Sequence, residues 1–164
     1  MAVREFVESR DEMEQLLQEE TIGYLGLARD GRPYVVPLNY GYTDGKILFH
    51  CALEGQKLDY IRANPDVCFS VGRQSGTVQR HAGGNPCHVD SDSVICYGTA
   101  RIIEDPQERQ IALNVFNHCF RPGAAEISLE EASRCAMVEI QIAEMTGRRE
   151  RQQDRQRSYW RHTF

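Results

Sequence analysis

Asp30-Gly31-Arg32-Pro33-Tyr34-Val35-Val36-Pro37-Leu38-Asn39-Tyr40-Gly41-Tyr42-Thr43-Asp44-Gly45-Lys46-Ile47-Leu48-Phe49-His50-Cys51 holds two tight turns and the strands they join. An Asp-Gly pair tolerates positive φ at both central positions of a hairpin turn, so Asp30-Gly31 and Asp44-Gly45 each reverse the chain. Between them, Tyr34, Val36, Leu38, Tyr40 and Tyr42 fall on one face, and Val35, Pro37, Asn39 and Gly41 on the other. After the second turn, Ile47, Phe49 and Cys51 alternate with Leu48, His50 and Ala52. Before the first, Ile22 to Ala28 is apolar and broken by glycine. Three strands joined by two tight turns form an antiparallel meander.

Working outward, Ser9-Arg10-Asp11-Glu12 is a capping box, and Met13, Leu16 and Leu17 follow on one helical face, predicting a helix that ends near Glu20. Leu58 and Ile61 suit a short helix over 55–63, stopped by Asn64-Pro65. Val67, Phe69 and Val71 return to period two. Residues 72–92, rich in Gly, Ser, His, Asn and Asp, read as a long loop of the kind that carries function. Ser93 to Ile103 is a further strand, with Val94, Cys96, Gly98, Ala100 and Ile102 on one face. Asp105-Pro106-Gln107-Glu108 opens a helix whose apolar face is Ile111, Ala112, Val115, Phe116 and Cys119. Ser128-Leu129-Glu130-Glu131 caps a brief helix, and Ala136 to Ile142 reads as the last strand. About six antiparallel strands in a chain of 164 residues favour a barrel, because closure removes exposed edges.

Hydrophobic residues make up 41% and charged residues 26%, which suits one globular domain. No apolar run is long enough to span a bilayer and no signal peptide opens the chain, so a cytoplasmic protein without a membrane partner is expected. The six cysteines lack CxxC spacing and read as buried thiols. Residues 148–164 hold six Arg against one Glu and one Asp, a charge of +4, on a body of −9. With no basic face or aromatic platform elsewhere, nucleic acid is not the expected partner. The organisation is a domain over 1–149 and a basic C-terminal tail over 150–164, solvated or docked on the acidic body or on a partner subunit.

The segment from Phe49 to Lys57 is where chemistry is expected. A strand ends, a short loop follows, and a helix begins with free backbone N–H groups and a positive dipole end. Gly55 lets a ligand approach the backbone. Lys57 sits in the first turn, where the dipole disfavours a cation unless an anion is present, and a phosphate there removes the conflict. The same residues also suit an ordinary exposed lysine.

The pattern Gly45…Phe49-His50-Cys51-Ala52…Gly55-Gln56-Lys57-Leu58…Asn64-Pro65-Asp66-Val67-Cys68-Phe69 resembles the pyridoxamine-phosphate-oxidase-like flavoproteins, and is most similar to the nitroimidazole-resistance branch. Gly31 to Tyr40, Pro86-Cys87, Ser93-Val94-Ile95, Tyr97-Gly98, Asp105-Pro106 and Met145-Thr146-Gly147 extend the resemblance over about residues 5–149. It implies a mainly β fold, a six-stranded antiparallel split β-barrel with flanking helices, that forms a homodimer with two FMN sites at the interface. Carried over by position, Val36, Pro37, Leu38 and Asn39 line the cofactor, with Phe49 and His50 on the adjacent strand. Gln56 and Lys57 hold its phosphate, and Ser93 reaches the flavin from the partner chain. His50 becomes the catalytic candidate, since histidine can donate a proton near neutral pH.

His81, Cys87 and His88 lack the paired spacing of a zinc site, so no metal is expected. His50, His81, His88 and His118 are conceivable axial ligands in a haem-binding relative. Asn39 stands where the true oxidases place a substrate-gripping lysine, and the ending Ser158 to Phe164 does not match theirs, so vitamin B6 oxidation is not expected. Substrate contacts from 72–92 are not carried over, because His88-Val89-Asp90 departs from the usual pattern. The function implied is an FMN-dependent reductase of a small electron-poor substrate such as a nitroaromatic. The alternatives are a non-catalytic flavin carrier or electron-transfer protein, and a haem binder.

Overall fold

A computed structural model describes residues 4–6, 9–74, 91–150 and 157–164. Nine strands and four helices lie among them: β1 (Arg4–Phe6), α1 (Arg10–Glu19), β2 (Ile22–Arg29), β3 (Arg32–Asn39), β4 (Gly41–Thr43), β5 (Lys46–Cys51), α2 (Gln56–Ala63), β6 (Asp66–Gln74), β7 (Ser91–Ile103), α3 (Pro106–Phe120), α4 (Leu129–Ala132), β8 (Ala136–Glu150) and β9 (Arg157–Thr163). Both Asp-Gly turns are where the sequence puts them, with positive φ at Asp30, Gly31, Asp44 and Gly45.

The strands form one sheet in the order β1-β9-β8-β7-β6-β2-β3, with β5 on β8 and β4 on β5. All pairs are antiparallel except β1 with β9. The expected single strand over 34–42 is broken. β3 pairs with β2, β4 pairs with β5, and Tyr40 alone separates them. Tyr40 is buried, donates its hydroxyl to the Leu17 carbonyl at 2.8 Å and sets its ring edge on Phe69 at 4.8 Å. That anchor turns the chain from one partner strand to the other. Six strand positions therefore make the barrel circuit (β2, β3 with β4, β5, β8, β7, β6), but pairing is not continuous around it and the sheet is not closed. The strand count expected from sequence is corrected to nine by this break and by two further strands, β9 beside β8 and β1 at the sheet edge.

Two more boundaries differ from expectation. β6 and β7 reach Gln74 and start at Ser91, so residues 72–74 and 91–92 belong to strands, not to a loop. β8 continues to Glu150 because it has partners on both edges: β7 along one, and β5 then β9 in tandem along the other.

The main core lies inside the sheet and under α1 and α2, and includes Leu17, Leu25, Ile47, Phe49, Phe69 and Ile140. A second cluster, with Leu48, Ile103, Phe116 and Met137, lies under α3 and α4. β5 is thus apolar on both faces, and burying each such side chain contributes roughly 1.5–3 kcal/mol. The C-terminal residue joins this body. Phe164 donates its N–H to the Ala143 carbonyl at 2.7 Å and lies 4.4 Å beneath the Arg10 guanidinium. Arg10 Nε in turn donates to Glu14 at 2.6 Å, and the Tyr42 hydroxyl donates to the same carboxylate oxygen at 2.7 Å.

Candidate functional site

α2 begins without a side-chain cap. Its N-cap is Gly55 at φ 143°, a conformation open to glycine alone. The Leu58 and Asp59 amides donate back to the Gly55 carbonyl at 2.9 and 3.2 Å. The amides of Gln56 and Lys57 belong to the first turn and have no acceptor among the described residues. A Cβ on Gly55 would meet nothing within 4 Å, so space above the helix start is open. Lys57 adds a full charge there, with Nζ 5.5 Å from the centre of the buried Phe49 ring. Free amides, open space and an ammonium fit a phosphate. The thiol of Cys51, at the end of β5, is pushed up by burial, an effect that the Lys57 charge opposes.

His50 is exposed and points from the opposite face of β5, edge-on to Phe116 at 5.0 Å. Lys57 and His50 therefore flank the end of one strand from its two sides. Val36 and Leu38 are half-buried against the core, while Pro37 and Asn39 face outward and Asn39 donates to the Thr21 carbonyl at 2.9 Å. They lie on β3, an edge strand by topology, where a proline's missing N–H does no harm.

The outer sheet face is the feature that sequence reading missed. Pro37, Tyr24, Ser70 and Ile95 lie opposite one another across β3, β2, β6 and β7, and Val35, Gly26, Cys68 and Tyr97 form the next row. Val35, Ile22, Tyr24, Tyr97 and Ile95 are 62, 53, 51, 49 and 36% exposed. Large apolar side chains grouped like this mark an interaction surface. Their signal was the second alternation in 93–97, where Ile95 and Tyr97 face away from Val94 and Cys96.

Ser93 sits on this outer face, half-buried, opposite Gly72 and Arg148. Phe49 pairs with Val138 of β8 and Ser93 with Arg148, ten residues further along the same strand. That is about 30 Å along β8, longer than a flavin mononucleotide. The fold thus brings Phe49, Gln56 and Lys57 together, sets His50 on the opposite face of β5 against Phe116, and puts Pro37, Asn39 and Ser93 on the outer sheet face, with Ser93 paired far along β8 from Phe49. His81, Cys87 and His88 lie outside the described residues. His118 engages the Ala124 carbonyl at 3.1 Å through Nε2. Among the described residues no group of three potential ligands could hold a metal ion, and no helix is long and apolar enough to cross a membrane. Cys51, Cys68, Cys96, Cys119 and Cys135 are free thiols, and burial pushes Cys96 up to about 12.

A family model described as pyridoxamine 5'-phosphate oxidase matches residues 9–149. The solved structure of a protein assigned to 5-nitroimidazole antibiotic resistance, from Bacteroides thetaiotaomicron, is 24% identical with a TM-score of 0.74, covering 86% of this chain and 84% of that one. At that identity the likeness is one of fold. A FAD-binding protein from Mesorhizobium loti is 26% identical with a TM-score of 0.63, covering 87% of this chain and 96% of that one. An uncharacterized protein of Rhizobium meliloti (strain 1021) is 34% identical over 65 residues, which span 40% of this chain and only 42% of that relative.

Proposed function

The chain belongs to the pyridoxamine 5'-phosphate oxidase family, and from that membership we propose that it is a homodimeric, FMN-dependent reductase of small electron-poor molecules, nitroaromatics among them. The observation that carries this reading is the uncapped start of α2 with Lys57 poised over Phe49. The FAD-binding relative supports a flavin, and the substrate class follows the resemblance of Gly45 to Phe69 to the nitroimidazole-resistance branch.

Gln56 and Lys57 hold the phosphate through the first-turn amides and the ammonium. Val36, Pro37, Leu38 and Asn39 flank the ring system. Phe49 backs the site from the core and shields it from water. The exposed outer face of β2, β3, β6 and β7 receives a second copy, which brings the partner's Ser93 to the flavin. The separation along β8 supports this arrangement, since Ser93 pairs ten residues beyond the Phe49 position. When bound, the flavin supplies the electrons. His50, exposed beside Phe116, is the chain's own proton donor, acting from a ring nitrogen on the reduced substrate.

Mixing two damaged chains tests the whole reading. In a heterodimer of Lys57→Ala and Ser93→Ala subunits, one site carries both lesions and the other carries neither. Each homodimer should bind FMN weakly, and re-folded mixtures should recover one tight site per heterodimer. Mixtures no better than the average of the two variants would overturn the interfacial site. A haem spectrum in place of a flavin spectrum would overturn the cofactor. If the reduced holoprotein passes electrons to nitro, quinone and imine acceptors no faster than free flavin, the protein is a carrier.

A further inference from the structure

Arg73 of β6, Asp92 of β7 and Arg149 of β8 stand opposite one another in register. The next row inward is Val71, Val94 and Gly147, and the one after it is Phe69, Cys96 and Met145, all buried. A charged row therefore ends an apolar face. Asp92 is 6% exposed, and its carboxylate is gripped from both neighbouring strands. Oδ1 accepts from Arg149 Nε at 2.9 Å, and Oδ2 lies 3.6 Å from Arg73 Nε. α1 completes the set. Arg149 reaches Glu12 at 3.3 Å, and Arg73 pairs with Glu19 and stands 4.0 Å from Glu20.

Stability does not account for such a row, because apolar side chains of similar shape are often at least as stable as a buried ion pair. Register does. A hairpin with a tight turn takes its register from that turn, but sixteen residues separate Gln74 from Ser91. Slipping β7 by one position would turn Asp92 outward and Ser93 inward, and would leave two arginines facing a hydroxyl. Asp92 and Ser93 are adjacent, so fixing one on the inner face aims the other at the outer face.

We propose that Asp92, clamped between Arg73 and Arg149, is the positioning residue for Ser93, holding its hydroxyl where the partner subunit's flavin meets it. This rests on the interfacial site described above. Asp92 itself touches no flavin.

A double-mutant cycle read by FMN titration of the flavin-free protein tests it. Asp92→Asn and Ser93→Ala should each weaken FMN about tenfold, and the double variant should be no weaker than Ser93→Ala alone. Asp92→Glu, which keeps the charge, should recover most of the affinity. A merely structural row would lower the melting temperature of Asp92→Asn without coupling to Ser93. Independent losses that multiply to about a hundredfold overturn the proposal and leave the interfacial site standing. A Ser93→Ala variant that binds FMN normally overturns both. If Asp92→Asn does not fold, the same cycle with Arg73→Gln decides, since removing one arm should give a smaller loss that is again absent in the Ser93→Ala background.

Discussion

The starts of α3 and α2 face the same electrostatic problem and meet it differently. At α3, Asp105 caps the helix by accepting from the Glu108 amide at 2.8 Å, and Pro106 occupies a first-turn position. At α2, Gly55 offers no side chain and Lys57 places positive charge against the positive end of the dipole. α1 and α4 follow the α3 pattern through Ser9 and Ser128. The chain caps three of its described helices from within and leaves the fourth open with a lysine beside it, the pattern on which the proposed phosphate site rests.

The largest expected effect would break this contrast at its centre. Lys57→Ala should weaken FMN by about 2.5 kcal/mol, the scale of a hydrogen bond to a charged group, and leave riboflavin nearly untouched. Equal losses for both ligands would mean that the α2 start is not the phosphate site. Next comes Gly55→Ala, which should lower unfolding stability by about 2 kcal/mol although the added methyl has room, because only the backbone conformation resists it. Chemical denaturation that finds no loss would remove the argument from φ. Asp105→Ala should cost about 1 kcal/mol of stability with FMN affinity unchanged, since α3 keeps its first turn for itself. A fall in FMN affinity there would blur the distinction between the two helix starts.

The smallest effect concerns acid. The Glu131 carboxyl is held below its ordinary range by the Ser128 amide and then by its hydroxyl, which donate at 2.9 and 2.8 Å. A depressed folded value means that the contribution is present above the unfolded value, near pH 4.3, and fades as pH falls through the folded one. Ser128→Ala should therefore flatten this part of the acid unfolding curve, and an unchanged curve would contradict the assignment.

Turn chemistry made much of this fold legible. Both Asp-Gly pairs, the caps at Ser9, Asp105 and Ser128, and the stop at Asn64-Pro65 depend on local backbone preferences that neighbours do not override. The lower half of the site was legible for the same reason, since the glycine and lysine at 55 and 57 contradict an ordinary helix start. Tertiary pairing hid the rest. Residues 143–150 and 157–163 hold four Arg and two Glu, yet they are strands because β7, β8 and β9 hydrogen-bond side by side. Read alone, such a charged stretch resembles a solvated tail, because the partner strands that order it are distant in sequence. At Ser9 and Asp105 the cap side chains accept as expected, but no reciprocal carboxylate returns to the cap. Glu12 and Glu108 spend their carboxylates on Arg149 and Arg101 instead of returning to the cap. Asp92 was invisible as a buried charge because its partners lie on other strands.

The pairing of β1 with β9 has a consequence in time. It joins Arg4–Phe6 to Arg157–Tyr159, contacts about as distant along the chain as this sequence permits. Loop-closure entropy makes such contacts late to form, long after the hairpin at Asp44-Gly45 has folded on itself. During synthesis, residues 4–6 must wait for 157–159 before they have a strand to lie beside. Refolding followed by hydrogen exchange should therefore protect β2 to β5 first and the β1–β9 ladder last.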